Sequence, residues 1–123
     1  MTCRVAAITL AVKNVAPVQA FYEAVLGVEF SVRRVAGFDV AEAEVSPLKL
    51  RLVPRALADV HAEENLHQLT FVVPDAQRAK SAALAHGGTL AGEPQVTAGG
   101  VRWGVRDPDG NSIELMDAGQ PAR

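Results

Sequence analysis

Glu114 is the residue of this chain whose type and position point most directly to chemistry. It follows the run Asp107-Pro108-Asp109-Gly110-Asn111, whose residue types predict a tight turn. In the strand after this turn, Ile113 and Leu115 share one face, and Glu114 shares the other with Met116. A carboxylate on the inner face of a curved sheet is a metal ligand, a catalytic group or half of a polar pair, because an unpaired buried charge is costly.

An internal repeat predicts the elements that position this carboxylate. Residues 7–14 are matched by residues 68–75, with apolar side chains at every second place. Each copy ends in a residue that favours a helix N-cap, Asn14 or Asp75. A helical pattern follows each copy and stops at glycine, the usual residue after a helix C-terminus. Each half therefore begins with a strand and a helix.

Three extended segments separated by turn residues follow each helix, so each half reads as a βαβββ unit. The segments are predicted over residues 28–35, 38–45 and 48–53 in the first copy, and over 89–91, 101–106 and 112–116 in the second. We predict one α+β domain, with a first module over about 1–53, a connector over 54–65, a second module over about 66–118 and a tail over 119–123.

Composition narrows the classes of partner. The chain has 123 residues, a formal net charge of -2 and one cysteine, Cys3. A net charge this small, with acidic and basic residues interspersed, excludes the strongly basic surface that binds nucleic acid or an anionic membrane. One cysteine excludes an intramolecular disulfide, and the N-terminus lacks the apolar run of a signal peptide or a spanning helix. We expect a cytoplasmic protein that binds neither nucleic acid nor membrane.

Two motifs resemble one protein family. The run Ala20-Phe21-Tyr22-Glu23-Ala24-Val25-Leu26-Gly27-Val28-Glu29-Phe30 resembles the first-helix signature of the vicinal oxygen chelate superfamily, which includes glyoxalase I, extradiol dioxygenases and bleomycin-resistance proteins. The turn and strand from Asp107 to Leu115 resemble the same family's last turn and strand. With the repeat, the resemblance covers essentially the whole chain. It implies two βαβββ modules that form a curved mixed sheet around a central groove, often in a homodimer.

The resemblance also implies where a metal would be held. Family enzymes bind a divalent metal with four inward side chains, one on the first and one on the last strand of each module. Matching the two copies places these positions at Ala7, Lys49, Gln68 and Glu114. Alanine has no donor atom, an ammonium group cannot coordinate a metal, and an amide oxygen is a weak ligand. A stable site normally uses about three or more protein donors, so we expect no metal cofactor.

The role of Glu114 stays open at this point. It pairs with Lys49 across the groove, joined by Gln68 and Arg51, or it is solvated while Lys49 extends to the rim. A shift of one residue in the strand register would instead turn His67 inward and give an altered metal set of His67 and Glu114.

Trp103 also has two interpretations. It is the only tryptophan of the chain, and on the groove side it would be a platform for a planar ligand. Its alternation with Val101 and Val105 equally allows a place under the helix.

The leading functional hypothesis is a metal-free binding protein of the bleomycin-resistance type, which implies a role in antibiotic resistance by sequestering an apolar or aromatic compound. Small inward residues leave room for such a ligand. The candidate ligand-binding residues are Ala7, Thr9, Lys49, Arg51, Gln68, Thr70, Trp103, Glu114 and Met116. Three alternatives stay open: a metal-dependent lyase, isomerase or dioxygenase using Glu114 and His67; a metal-free enzyme with Glu114 as catalytic base; and a structural or regulatory subunit.

Overall fold

The computed structural model of the chain describes residues 5–58 and 68–117. In chain order the elements are β1 (Ala7–Val12), α1 (Val15–Leu26), β2 (Ser31–Val35), β3 (Phe38–Val45), β4 (Leu48–Pro54), α2 (Arg55–Ala58), β5 (Gln68–Val73), α3 (Ala76–Ala85), β6 (Thr89–Leu90), β7 (Gln95–Thr97), β8 (Gly100–Arg106) and β9 (Ser112–Asp117). The predicted α+β fold with a βαβββ unit in each half is confirmed.

In the described residues the strands form two sheets, one in each half. The first has the order β1-β4-β3-β2, and the second has the order β5-β9-β8-β6, with β7 also paired to β8. In each sheet the first strand lies at an edge and runs parallel to the last strand of its module. Because β6 and β7 both pair with β8, they together occupy the place that β2 has in the first sheet. The sequence predicts only β6 there.

Helix α1 begins and ends where the sequence predicts. Asn14 has the extended backbone of an N-cap, although its side chain makes no capping hydrogen bond. Gly27 has a φ of 67°, in the left-handed region that glycine adopts without steric cost, and its amide donates to the carbonyl of Glu23 at 3.0 Å. In α3 the side chain of Asp75 accepts a hydrogen bond from the amide of Arg78. Of the two predicted N-cap residues, only Asp75 therefore caps its helix through its side chain.

The two modules share one hydrophobic core. Helix α1 contacts α3, α1 packs on β3 and β4, and α3 packs on β5, β8 and β9. The helices contribute Val15, Val18, Phe21, Tyr22, Val25, Ala76, Ala79 and Ala83, and the sheets contribute Ala41, Ala43, Leu50, Leu52, Phe71, Val105, Ile113 and Leu115. One side of each sheet is therefore covered by helices. The opposite side is called the open face below.

The turn between β8 and β9, residues 107–111, ties the second module to the first. Asp107 is only 3% exposed, and its carboxylate accepts hydrogen bonds from four donors. They are the Tyr22 hydroxyl at 2.7 Å, the amides of Asp109 and Asn111 at 2.9 Å each, and the Asn111 side-chain amide at 2.8 Å. Since Tyr22 belongs to α1, this buried carboxylate joins the two modules.

Asp109 adds two further links from the same turn. Its carboxylate accepts a hydrogen bond from the backbone amide of Lys13 at 3.0 Å and forms an ion pair with Arg55 at 2.9 Å. Lys13 follows β1 and Arg55 begins α2. Residues 107–111 therefore bind three segments of the first half, and we call them the turn clamp.

Tyr22 offers a direct measurement of this burial, because it is the only tyrosine of the chain. Burial, with the charge and hydrogen bond of Asp107 and the charge of Asp109, raises the pKa of Tyr22 well above its ordinary value of 10.0. A raised folded-state pKa contributes stability below pH 10.0, which is lost as pH rises through the raised value. We expect no tyrosinate absorbance from native protein near pH 10, whereas denatured protein ionises there. A native signal at that pH would contradict the buried hydrogen bond.

Candidate functional site

The open face of the first sheet carries a row of polar side chains. Strand pairing places Thr9 beside Arg51, Arg51 beside Glu42, and Glu42 beside Ser31. The row therefore runs from a hydroxyl through a guanidinium and a carboxylate to a second hydroxyl. The neighbouring row places Ala7 beside Lys49, and Lys49 beside Glu44 in β3.

The open face of the second sheet carries the equivalent rows. Thr70 lies beside Glu114, and Glu114 lies beside Gly104. Gln68 lies beside Ser112, and its side-chain amide donates to the Ser112 hydroxyl at 3.1 Å. In each module a threonine of the first strand thus stands next to a charged residue of the last strand.

Glu114 is covered rather than solvated. It is 8% exposed, and its Oε1 accepts a hydrogen bond from the Thr70 hydroxyl at 3.3 Å. Gly104 beside it has no side chain, and a methyl group added there would approach the carbonyl oxygen of Ala91 to 2.5 Å. The interpretation of Glu114 as a simply solvated carboxylate is therefore wrong. Met116 lies one alternation further along the same face, beside Val72.

Glu42 is the charged partner of both basic residues on the first sheet. Its Oε2 lies 2.7 Å from Nε of Arg51, and its Oε1 lies 3.5 Å from Nζ of Lys49. The Arg51 hydrogen bond, followed by the positive charges of Arg51 and Lys49, outweighs burial and holds the pKa of Glu42 below its ordinary value. Among the described residues of one chain, Lys49 is paired with Glu42 on its own sheet rather than with Glu114, the partner that the sequence predicted.

Strand pairing also corrects the matching of the two modules. Because residues 7–14 match residues 68–75, Thr9 corresponds to Thr70. The last-strand neighbour of Thr70 is Glu114, and that of Thr9 is Arg51. The side chains flanking Arg51, Leu50 and Leu52, are buried in the core just as the neighbours of Glu114 are. Lys49 corresponds instead to Ser112, so the assignment of Lys49 to the fourth metal position is wrong by two residues.

The corrected set does not fit the divalent metal that the resemblance implies. The four positions are held by Ala7, Arg51, Gln68 and Glu114. They offer one carboxylate and one amide oxygen, and the guanidinium of Arg51 repels a cation and has no lone pair to donate. Within residues 5–58 and 68–117, no group of three or more His, Cys, Asp or Glu side chains could hold a metal ion. His67, the alternative ligand, lies outside the described residues.

Trp103 lies on the helix side of its sheet and does not line the groove. It pairs with Leu115, whose side chain is fully buried in the core, and it packs against that core. The ammonium of Lys80 in α3 lies 4.5 Å from the centre of its ring. The interpretation of Trp103 as a groove platform is therefore wrong, since paired residues of adjacent strands project from the same face.

A shallow cavity of about 410 Å³ lies on the open face of the first sheet, towards β2. Its lining residues are Val28, Glu29, Ser31, Glu42, Ala43, Glu44 and Lys49. Carboxylates outnumber ammonium groups in this lining, so the cavity favours neutral or cationic groups over anions.

Two groups that shape the site are absent from the sequence-based prediction. Glu42 orients Arg51, and Asp107 fixes the turn that precedes Glu114. Alternation in β3 places Glu42 and Glu44 on one face opposite Ala41 and Ala43, and this signal could have identified Glu42. Three of the four hydrogen bonds to Asp107 come from residues of the turn itself, whereas the fourth, from Tyr22 in α1, is a contact that the turn sequence alone does not specify.

Solved structures with this fold are numerous. A glyoxalase-related enzyme from Fulvimarina pelagi is 20% identical, with a TM-score of 0.76 over 93% of this chain and 87% of its own. A glyoxalase/bleomycin resistance protein from Albidiferax ferrireducens is 20% identical, with a TM-score of 0.74 over 95% and 98%. A lactoylglutathione lyase from Agrobacterium tumefaciens is 18% identical, with a TM-score of 0.65 over 95% of both chains. At such identities the likeness shows the fold alone.

In the described part of the chain, no helix has the length and apolar character needed to cross a membrane. No curated protein sequence gives a significant match. Residues 4–115 match the model of the Glyoxalase/Bleomycin resistance protein/Dioxygenase superfamily, which is nearly the whole chain. Together with the paired βαβββ modules, this match shows that the chain belongs to that superfamily.

Proposed function

We propose that this protein binds a small organic molecule without a metal, in a groove lined by the open faces of its sheets. The observation that carries the proposal is the set of side chains at the four metal positions. At one of these positions Arg51 places a cation instead of a metal-coordinating atom. Ala7 has no coordinating atom, and only Glu114 provides a carboxylate. Such a set supports hydrogen bonding to an organic ligand better than coordination of a divalent ion.

Small side chains on the first strand of each module support the same proposal. Ala7, Thr9 and Ala11 line the open face of β1, and Thr70 and Val72 line that of β5. Thr9 and Thr70 are exposed, and Val72 is 62% exposed. An apolar or aromatic ligand lying over these residues would cover surface that is otherwise left in water, which stabilises binding.

The proposal includes a second copy of the chain. In residues 5–58 and 68–117 the modules are joined through the helices, the end of β1, α2 and the turn clamp, on the side of the sheets away from the open faces or at their ends. A homodimer would place the open face of one module opposite that of the other. Light scattering on the purified protein is expected to give twice the mass of one chain.

Thermal melting tests the proposal. We expect a chelator to leave the melting temperature unchanged, because no metal stabilises the native state. A screen of aromatic antibiotics and hydrophobic metabolites is expected to contain compounds that raise the melting temperature by mass action and are recovered chemically unchanged.

Two other outcomes would favour the alternatives. A stoichiometric metal, with a fall in melting temperature on chelation, would favour a metal-dependent enzyme with an altered ligand set. Turnover of a bound compound, abolished in the Glu114→Gln variant, would favour a metal-free enzyme with Glu114 as its base.

A further inference from the structure

We propose that the ligand of this groove is an organic anion whose carboxylate is bound by Arg51. The inference rests on the proposed function, since it assigns a chemical class to the ligand of the same groove. It depends on three features of the first open face: the free edge of the Arg51 guanidinium, the carboxylate that orients it, and the distribution of charge around it.

The guanidinium of Arg51 has hydrogen-bond donors that make no hydrogen bond with the described residues. Its Nε donates to Oε2 of Glu42 at 2.7 Å, and this is its one hydrogen-bonded contact with the described residues. The two terminal amino groups are therefore available to a ligand. The side chain is 34% exposed, so a ligand can reach them from the open face. A guanidinium edge of this kind binds both oxygens of a carboxylate in parallel.

Glu42 acts as a positioning residue for this edge. Its carboxylate lies between Arg51 and Lys49 and is held ionised by them, since the hydrogen bond from Arg51 keeps the pKa of Glu42 low. With Nε fixed on Glu42, rotation of the guanidinium about the end of its side chain is restricted. The terminal amino groups are therefore preoriented for a ligand, which lowers the entropy lost on binding.

The surrounding charges place the anion on the β1 side of Arg51. On the β2 side lie the carboxylates of Glu29, Glu42 and Glu44, which line the cavity and repel an anion. On the β1 side the neighbour of Arg51 is Thr9, an exposed hydroxyl that can donate a further hydrogen bond. The residues of β1 that flank Thr9 on this face are alanines, which leave space for the rest of the ligand.

Two isosteric probes test this inference. 2-Naphthoate and 2-naphthamide share one aromatic body and differ in charge, so isothermal titration of each measures the contribution of the anion. We expect the parent protein to bind naphthoate at least tenfold more tightly, a difference of about 1.4 kcal/mol. In Arg51→Gln this preference is expected to disappear while naphthamide binding is kept.

Arg34→Gln is the matched control. Arg34 also forms an ion pair with a carboxylate of β3, Asp39, at 3.0 Å, but at the exposed end of the β2–β3 hairpin. Its substitution is expected to leave both affinities unchanged. Added salt is expected to weaken naphthoate binding to the parent and to leave naphthamide binding unaffected.

The outcomes separate this inference from the proposed function. Equal binding of both probes by the parent would overturn the inference and leave the proposed function standing. Equal weakening of both probes in Arg51→Gln would assign Arg51 a structural role and also overturn the inference. Binding of neither probe by the parent would count against the proposed function itself, and the inference would fall with it.

Discussion

Replacing Asp107 with alanine is expected to lower the free energy of unfolding by roughly 3 kcal/mol, because it leaves several buried donors without an acceptor. The carboxylate accepts hydrogen bonds from Tyr22, Asp109 and Asn111, and it is 3% exposed. The loss affects both modules, since Tyr22 lies in the first and the turn clamp in the second. Chemical denaturation of parent and variant measures the difference.

Two variants control this prediction. Asp39→Ala removes an exposed carboxylate that is ion-paired with Arg34, and it is expected to change stability by less than about 1 kcal/mol. Tyr22→Phe removes one of the four donors to Asp107 and is expected to cost about 1–2 kcal/mol. A loss below about 1 kcal/mol in Asp107→Ala would show that the turn clamp does not hold the modules together.

A variant with metal-coordinating side chains at all four family positions is expected to bind zinc. The variant combines Ala7→His, Arg51→Glu and Gln68→His with the native Glu114, so that all four positions carry donors. At a free zinc concentration about a hundredfold above the dissociation constant, the native state gains about 2.7 kcal/mol. Unfolding with and without chelator, together with elemental analysis, measures the gain. The parent is expected to show no such difference.

A second variant tests the corrected strand match. It carries Lys49→Glu in place of Arg51→Glu, with both histidines retained. Because the Arg51 guanidinium still occupies the fourth position, we expect zinc to bind at least tenfold more weakly than in the first variant. Tighter binding by the Lys49→Glu variant would restore Lys49 to the metal position. No zinc binding by either variant would contradict the assembly of the four positions into one site.

Much of the fold follows from local chemistry that a single sequence displays. Asn14 and Gly27 bound α1 because an extended cap residue and a left-handed residue are needed at its two ends. Strand β3 has the predicted bounds of Phe38 and Val45. Strand β2 begins three residues later than predicted, because the amide of Phe30 is held by the side chain of Glu23 rather than by a neighbouring strand.

Local chemistry could not predict which charged residue of the first module corresponds to Glu114. Leu48-Lys49-Leu50 and Leu50-Arg51-Leu52 have the same apolar-basic-apolar pattern, and they differ by two residues. A shift of two preserves which face each side chain occupies, so alternation fits both choices equally. Only the pairing of β4 with β1 selects Arg51 as the counterpart of Glu114.

Two other features depend on contacts distant in sequence. Trp103 alternates with Val105, but that pattern does not say which face the helix covers, and only the pairing with Leu115 does. Strand β7 is too short and too polar to show a periodic pattern, and it is recognised by its pairing with β8. Sequence patterns thus predict well which side chains share a face and where an element ends, and they predict poorly which elements pack against each other.

The most direct test of the central claim is titration of 2-naphthoate into protein that has been depleted of metal. We expect the metal-depleted protein to bind the probe with the same affinity as protein supplied with zinc, manganese or iron, because Arg51 and the open faces of the sheets supply the contacts. Binding that appears only after a metal is restored would contradict a metal-free site.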